Sequence, residues 1–290
     1  MAIIKLAIMS DIRRYKDFRD ELRIANSVLT ARLRRLTDAG LFTVSRYQQA
    51  PRRYEYVLTE CGRDLWRVLV TIWSWEAVWV TEHIEPLPAM YHTVCGKVFA
   101  PVMHCRTCRL TADLRDVRGV AGPSGGFDRS VPQGVTRRRS VGGSPGPGLV
   151  PQTIALIGNR WSAAALGAAF LGARRFTDMR RMTGAPPAIV SDRLRTFCQL
   201  GVLQTVLVGP NSARSEYRLT DKGRAFFPHL MVLLGWGDKW FRAPEGPAII
   251  LTHIRCGGVF APVLHCSRCN AELHGSKIEV GGEPAKIEYL

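Results

Sequence analysis

The sequence predicts a mainly helical α+β protein with two tandem winged helix-turn-helix modules, each followed by a small Cys/His-rich knuckle. Three observations lead to this fold class. The chain repeats itself at a fixed spacing of 161 residues, so that His92 corresponds to His253 and Cys108 to Cys269. Each copy contains two short helical patterns followed by an alternating, strand-like pattern. Each copy then ends in the same spacing of histidine and cysteine.

Composition narrows the class of protein. The 290 residues include 40 Lys+Arg against 24 Asp+Glu, a net charge of +16. This charge favours a polyanionic partner, with nucleic acid before an anionic membrane surface, and a basic surface without a partner as the alternative. No apolar run is long enough to span a bilayer, and Met1–Met9 lacks the features of a secretory signal. We therefore expect a cytoplasmic protein with reduced cysteines and no membrane partner.

The repeat also divides the chain into segments. The copies align without a gap from about residue 2 to about residue 110. Ile154–Trp161 has no counterpart in the first copy, so either the opening helix is curtailed there or the true start codon lies upstream of Met1. The glycine, proline and serine of Gly119–Gly148 predict a flexible linker. We expect module 1 over 1–91, a knuckle over 92–112, a linker over 113–150, module 2 over 151–252, a knuckle over 253–275 and a tail over 276–290.

Each module opens with two short helices. Arg13–Leu22 and Arg174–Thr183 place apolar residues on one face and basic residues on the other, which predicts a first amphipathic helix. Asn26–Phe42 and Pro187–Leu203 contain the second helix. Its buried stripes are predicted to be Leu29, Leu33 and Leu36 in module 1 and Val190, Leu194 and Phe197 in module 2.

The ends of the second helix are also predictable. Asn26 or Ser27 is a suitable N-cap residue, and Gly40 and Gly201 provide left-handed ends. The pattern then changes to a period of two. Leu41–Tyr47 and Tyr54–Thr59 therefore predict a β-hairpin, followed by a tryptophan-rich helix capped by Thr59.

The exposed side of the second helix suggests DNA binding. Hydroxyl residues at the start of a helix and an arginine one turn later are suited to a major groove, where hydroxyls bond bases or phosphates and arginine can form paired bonds to guanine. Basic residues on the hairpin and before the first helix are suited to phosphates. The candidate DNA-binding residues are Arg13, Arg14, Ser27, Thr30, Arg34, Arg46, Arg52, Arg53, Arg174, Arg175, Ser191, Arg195 and Arg214.

These residues carry a resemblance to a known family. Gly158–Trp240 resembles the HxlR family of bacterial winged-helix transcription regulators through "RRF", "SDRL", "GVL", "YRLTDKG" and "WGDKW" in that order. The first copy is similar through "RRYKDF", "TARLRRL", "AGLF" and "RYEYVLTECG". The resemblance implies a sequence-specific DNA-binding regulator rather than an enzyme. Some members sense oxidants through a cysteine ahead of the opening helix, and the corresponding "GPGLVPQTIALIG" has no cysteine.

Family members usually act as homodimers on near-palindromic operators. Two copies in one chain therefore suggest an intramolecular pseudo-dimer that covers two half-sites, roughly 34 Å apart. A homodimer of whole chains is the alternative.

The knuckles have metal-ligand spacing. One pattern consists of His92, Cys95, Cys105 and Cys108, with His104 spare, and the other of His253, Cys256, Cys266 and Cys269, with His265 spare. Zinc prefers four tetrahedral nitrogen and sulphur ligands, which predicts one structural zinc site closing each module. Reduced cysteines without metal, or a redox pair, are the alternatives. Neither His92–Cys108 nor His253–Cys269 contains Asp or Glu, which argues against a catalytic site.

Two further functional readings remain. In the alternative hypothesis, the protein is a metal- or thiol-responsive regulator whose Cys/His clusters gate DNA binding. Outside them, Cys198 is expected to be a half-buried filler, whereas Cys61, near a helix N-terminus that would lower its pKa, is a candidate thiol sensor.

Overall fold

The computed structural model describes residues 1–49, 52–81, 83, 86–125, 150–209 and 214–284. Two similar winged helix-turn-helix modules occupy these residues, as the repeat predicts. Residues 126–149 of the expected linker lie outside the described residues.

The first module follows the expected order of elements. Its helices are α1 (Ala2–Met9), α2 (Tyr15–Leu22), α3 (Asn26–Asp38), α4 (Glu60–Asp64) and α5 (Trp66–Trp79). Its strands are β1 (Phe42–Gln48), β2 (Arg53–Leu58), β3 (Pro88–His92), β4 (Lys97–Val98), β5 (Pro101–Cys105) and β6 (Val117–Ala121).

The second module has an additional helix at its start and, among the described residues, no strand equivalent to β4, and otherwise repeats this order. Its helices are α6 (Pro151–Ile157), α7 (Arg160–Phe170), α8 (Phe176–Thr183), α9 (Pro187–Gln199), α10 (Asp221–Arg224) and α11 (Phe227–Phe241). Its strands are β7 (Leu203–Leu207), β8 (Ser215–Leu219), β9 (Ile249–His253), β10 (Pro262–Cys266) and β11 (Ile278–Pro284). By the repeat, α1 corresponds to residues 163–170 in the later part of α7.

A glycine follows α3 in module 1 and α9 in module 2 and directs the chain into the hairpin. Gly40 and Gly201 have φ angles of +72° and +69°, a left-handed conformation that L side chains rarely adopt. The chain then enters the antiparallel pairs β1–β2 and β7–β8. These turns confirm the predicted left-handed ends.

The helix caps only partly follow the sequence. The Thr59 hydroxyl accepts a hydrogen bond from the Gly62 N–H at 3.1 Å, as predicted. The helix after Thr59 is, however, divided into α4 and α5 at Leu65. The cap prediction for α3 is wrong, because Ala25 occupies the N-cap without a side-chain hydrogen bond. Asn26 already belongs to the first turn of α3, where its carbonyl oxygen accepts from the Tyr15 hydroxyl.

The helices α5 and α11 join the two modules. Trp75 in α5 donates its indole N–H to the Lys222 carbonyl at 3.0 Å, and Trp236 in α11 donates to the Cys61 carbonyl, also at 3.0 Å. Trp75 and Trp236 are equivalent positions, as are Cys61 and Lys222. Each module therefore makes the same contact to the other.

Strands also pair between the modules. The antiparallel pairs are β5 with β10, β3 with β11 and β6 with β9. In the first pair, Met103 lies opposite Leu264, its own equivalent in the repeat. The two modules are therefore related by a local twofold axis between these residues.

Two segment predictions need correction. The linker was expected from residue 113, yet Val117–Ala121 forms β6 against β9. The tail was expected from residue 276, yet Ile278–Pro284 forms β11 against β3. Both segments are held by strands of the other copy, and a pattern read within one copy does not reveal such partners. Within the described ranges, no helix has the length and apolar character needed to cross a membrane.

Candidate nucleic-acid interface and metal sites

Helix α3 buries one side and exposes the other. Leu29 and Leu33 are fully buried, while Ser27, Thr30 and Arg34 are exposed. The spacing of the two leucines fixes which face meets the module core. The three predicted base-contact residues of module 1 therefore lie together on the solvent face.

A tyrosine that the sequence reading missed supports this face. The Tyr15 hydroxyl donates to the Asn26 carbonyl at 3.0 Å and lies 3.1 Å from the Thr30 hydroxyl. Tyr15 thus connects α2 to the start of α3. The equivalent residue of module 2 is Phe176, which has no hydroxyl. This difference between the copies is the sequence signal that could have pointed to Tyr15.

Helix α9 has the same orientation with a different charge. Val190, Leu194 and Phe197 are buried as predicted, while Ser191 and Arg195 are exposed. Asp192, which replaces Ala31 of the first copy, forms an ion pair with Arg193. Helix α9 therefore presents a less positive surface than α3.

The wing of module 1 carries exposed arginines. Arg46, Arg52 and Arg53 are all exposed at the hairpin. The guanidinium of Arg14 lies over the Tyr47 ring, 4.9 Å from its centroid, which places a further basic residue beside the wing.

Two of the remaining candidates are exposed but already have partners. Arg13 forms two hydrogen bonds to the Asp11 carboxylate, at 2.9 and 3.1 Å. The carboxylate raises the pKa of the Arg13 guanidinium further above its ordinary value. In module 2, Arg175 lies 3.9 Å from Glu216. The exposed residues Arg174 and Arg214 complete the predicted set.

The Cys/His residues gather into two groups, but not the predicted ones. One group is His92, Cys95, Cys266 and Cys269, and the other is Cys105, Cys108, His253 and Cys256. Within each group the ligand atoms lie within 4.8 Å of one another. The prediction of one site inside each module is therefore wrong, although the eight residues are the predicted ones.

The pairing of β5 with β10 explains this exchange of ligands. The strands run antiparallel with Cys105 opposite Pro262 and Cys266 opposite Pro101. Each Cys-x2-Cys turn is therefore carried to the other copy's His-x2-Cys turn. Spacing along the chain could not distinguish this arrangement from a closed site in one module.

The distances fit a tetrahedral metal. In the first group, His92 Nδ1 lies 3.6 Å from Cys95 Sγ and 3.3 Å from Cys269 Sγ, and the Cys95 and Cys266 sulphurs are 3.9 Å apart. A tetrahedral zinc with Zn–S of about 2.3 Å and Zn–N of about 2.0–2.1 Å requires S···S separations of about 3.8 Å and N···S separations of about 3.6 Å. The donor set and the spacing therefore suit a zinc-like divalent cation.

The second group has matching geometry. His253 Nδ1 lies 3.2 Å from Cys108 Sγ and 3.3 Å from Cys256 Sγ. In both groups the histidine is buried and turns Nδ1 towards the sulphurs. Among the described residues, its Nε2 has no hydrogen-bond partner. The two histidines are thus oriented as Nδ1 ligands.

The local environment shifts the pKa values of the thiols in opposite directions. Burial raises the pKa of Cys266 to about 11. The Ala271 N–H, which donates to the Cys269 sulphur, lowers the pKa of Cys269. A bound divalent cation favours the thiolate form of both.

The spare histidines lie together between the two groups. The rings of His104 and His265 stack with centroids 4.2 Å apart. Their Nδ1 atoms lie 2.8 Å from the Arg109 carbonyl oxygen and 2.7 Å from that of Asn270, respectively. They belong to neither ligand group.

The environments of the two remaining cysteines are not those of a thiol sensor. Cys61 is buried, and burial together with the Asp64 carboxylate raises its pKa. The expectation of a lowered pKa is therefore wrong, because burial and the Asp64 carboxylate both raise the pKa of this thiol. Cys198 is half-buried, as predicted.

Comparison with known proteins identifies relatives of both modules. The profile of the HxlR-like helix-turn-helix family matches residues 1–84 and 156–245. The uncharacterized HTH-type transcriptional regulator Rv3095 of Mycobacterium tuberculosis (strain ATCC 25618 / H37Rv) is 40% identical over 124 residues, which cover 43% of this chain and 78% of Rv3095.

Two further proteins are similar. The uncharacterized HTH-type transcriptional regulator YvaP of Bacillus subtilis (strain 168) is 27% identical over 90 residues, covering 31% of this chain and 83% of YvaP. The crystal structure of PA1607, a transcription-factor candidate, has 29% sequence identity and a TM-score of 0.43, covering 48% of this chain and 96% of that one.

Proposed function

This chain belongs to the family of HxlR-like helix-turn-helix proteins, and from that premise we propose that it regulates transcription by binding a specific operator in double-stranded DNA. It acts by occupying the operator, and we assign it no catalytic step. The two modules form an intramolecular pseudo-dimer in which each recognition helix, α3 or α9, enters one half-site.

One observation carries this proposal. Met103 pairs with its own equivalent, Leu264, so the modules have the twofold relationship that a DNA-binding dimer uses on a palindromic site. The exposed faces of α3 and α9 are equivalent positions of the two modules. A single chain then has the elements for two half-sites.

The proposed contacts fall into two classes. Ser27, Thr30 and Arg34 of α3, with Ser191 and Arg195 of α9, read bases in the major groove. Flanking phosphates are bound by the arginines that precede α2 and α8 and by those on the wings: Arg13, Arg14, Arg46, Arg52, Arg53, Arg174, Arg175 and Arg214. Because Asp192 replaces Ala31, the two half-sites need not be identical.

Selection of bound sequences from random double-stranded DNA tests the proposal. We expect enrichment of two related half-sites about one helical turn apart. On the selected site, affinity should fall with salt by a slope of about 0.9 per phosphate neutralised. Failure to enrich any sequence, or a flat salt dependence on the enriched one, would refute operator binding.

A second candidate function is favoured by the two ligand groups. Each has three cysteines and one histidine at zinc-like spacing, so we propose two zinc ions per chain. If they gate DNA binding, the protein is a metal- or thiol-responsive regulator. Chelator and oxidant titrations of operator binding distinguish the two functions: loss of binding with intact helices indicates a switch, and unchanged binding indicates a structural role.

A further inference from the structure

We infer that each metal ion bridges the two modules, so that metal occupancy sets how firmly the two recognition helices are coupled. The ligand sets carry this inference. His92 and Cys95 come from module 1 and share a site with Cys266 and Cys269 of module 2. Neither module alone supplies more than two ligands to either site.

The positions of the sites make the bridging symmetrical. The second site joins Cys105 and Cys108 to His253 and Cys256. The strands β5 and β10 run between the two groups and cross at the Met103–Leu264 pair. Two ions therefore stabilise the contact between β5 and β10 from opposite sides of the local twofold axis.

The ligand turns are formed within each module. Gly96 and Gly257 have φ angles of +66° and +68°, and their N–H groups donate to the His92 and His253 carbonyls at 2.8 Å. Each His-x2-Cys turn is thus closed by its own backbone. The Cys-x2-Cys turns are closed in the same way, because the Arg109 and Asn270 N–H groups donate to the Cys105 and Cys266 carbonyls at 2.7 and 2.9 Å. The metal therefore has to bring together two preformed ligand pairs rather than fold either one.

Coupling to DNA binding follows from the same arrangement and depends on the proposed operator function. Metal ligation fixes β5 against β10, and the contact between α5 and α11 lies beside it. Loss of metal loosens one module relative to the other while leaving α3 and α9 folded. Affinity for a two-half-site operator then falls, whereas affinity for an isolated half-site does not change.

Pairs of cysteine substitutions test the bridging without DNA. In Cys95→Ser/Cys269→Ser, both changes fall in one bridging site, and we expect one zinc per chain to be retained against a chelator as firmly as in the unmodified protein. In Cys95→Ser/Cys108→Ser, both changes fall in module 1 but in different bridging sites, and we expect no zinc to be retained that firmly. Sites closed within one module would give the reverse result.

A reciprocal set controls for folding defects. Cys108→Ser/Cys256→Ser should retain one firmly bound zinc, and Cys256→Ser/Cys269→Ser should retain none. Helix content by circular dichroism identifies any variant that fails to fold. Retention of one firm ion by both same-module variants, or by neither same-site variant when all four are folded, would overturn the inference.

Operator binding then tests the coupling separately. With zinc removed by chelator, we expect at least a tenfold loss of affinity for the two-half-site DNA and less than a twofold change for one half-site. Equal affinity for the full operator with and without zinc would refute the coupling. Absence of any DNA binding by the zinc-loaded protein would instead refute the proposed function and leave the metal-retention result standing.

Discussion

Met103 lies directly opposite Leu264 in the antiparallel pair of β5 and β10, although the two residues occupy equivalent positions in copies 161 residues apart. A residue meets its own equivalent in this way only at a twofold axis. The equivalent rings of His104 and His265, the next positions along, stack beside this pair. The duplicated chain thus has an internal dimer contact, which a protein with one copy would have to form between two chains.

The first prediction concerns base reading by the recognition helices. Arg34→Ala and Arg195→Ala should each weaken binding to the selected operator by about 1–3 kcal/mol if the arginine forms paired hydrogen bonds to guanine. Fluorescence anisotropy with labelled operator DNA measures the change. Lys97→Ala is a matched control, since Lys97 is exposed but lies in the knuckle strand β4.

The difference in charge between α3 and α9 leads to a second expected result in the same assay. Asp192→Ala should strengthen binding, because it removes a negative charge from the exposed side of α9. If Arg34→Ala and Arg195→Ala both bind like the Lys97→Ala control, these arginines do not read bases.

The second prediction is a pH dependence of stability caused by His229. This histidine is buried between the modules, with Nδ1 3.1 Å from the Thr71 hydroxyl, and burial lowers its pKa from 6.5 to about 3. Between these pH values the unfolded state binds more protons than the folded state. The free energy of unfolding therefore falls as pH is lowered from about 6.5, by up to about 1.4 kcal/mol per pH unit.

The substitution His229→Gln isolates this contribution. The side chain keeps polar atoms but does not titrate, so the decline of unfolding free energy below pH 6.5 should be shallower than in the unmodified protein. Urea unfolding followed by tryptophan fluorescence at pH 7, 6 and 5 measures both slopes. Parallel slopes would mean that folding does not lower the pKa of His229.

The sequence predicted most of each module because the deciding signals are local. The stripe of Leu29 and Leu33 and the glycine at position 40 are read within one helix and one turn. Thr59 likewise caps α4 by accepting from the N–H of Gly62, three residues further along the chain. These contacts join residues close in the chain, so periodicity and turn chemistry identify them.

The grouping of the metal ligands was mispredicted because it depends on contacts between copies. Cys95 and Cys266 are 171 positions apart, and only the antiparallel pairing of β5 with β10 brings them together. The strands β6 and β11 were missed for the same reason. In a duplicated sequence, the His-x2-Cys pair of one copy can share a metal with the Cys-x2-Cys pair of the same copy or of the other copy. The spacing of the ligands along the chain is the same in both cases.

The third prediction concerns the attachment of α6 to α5. Glu76 is fully buried, and its Oε1 accepts hydrogen bonds from both the N–H and the hydroxyl of Thr153 at 2.7 Å. The other carboxylate oxygen lies 3.2 Å from His83 Nε2. Thr153→Val should lower the free energy of unfolding by about 1–3 kcal/mol, because a buried carboxylate oxygen loses a hydrogen-bond donor.

A double-mutant cycle with Glu76→Gln measures the coupling between the two side chains. The exposed Thr177→Val in α8 is the control, with an expected change within about 0.5 kcal/mol. Additive effects of Thr153→Val and Glu76→Gln would show that the short distances contribute no mutual stabilisation.

The fourth prediction compares glycines that require a left-handed backbone with one that does not. Gly96 and Gly257 have positive φ angles and open space around an added Cβ. Alanine there should cost about 1–2 kcal/mol through backbone strain alone. Because each glycine directly follows a ligand cysteine, the cost should appear as faster loss of zinc to a chelator from the affected site.

Gly237 is the matched control for that comparison. It lies within α11 with nothing within 4 Å of an added Cβ, so Gly237→Ala should raise the free energy of unfolding by roughly 0.5–1 kcal/mol through helix propensity. Zinc release from Gly237→Ala should match that of the unmodified protein. If Gly96→Ala and Gly257→Ala release zinc no faster than Gly237→Ala, the tight turns do not set the geometry of the His-x2-Cys ligand pairs.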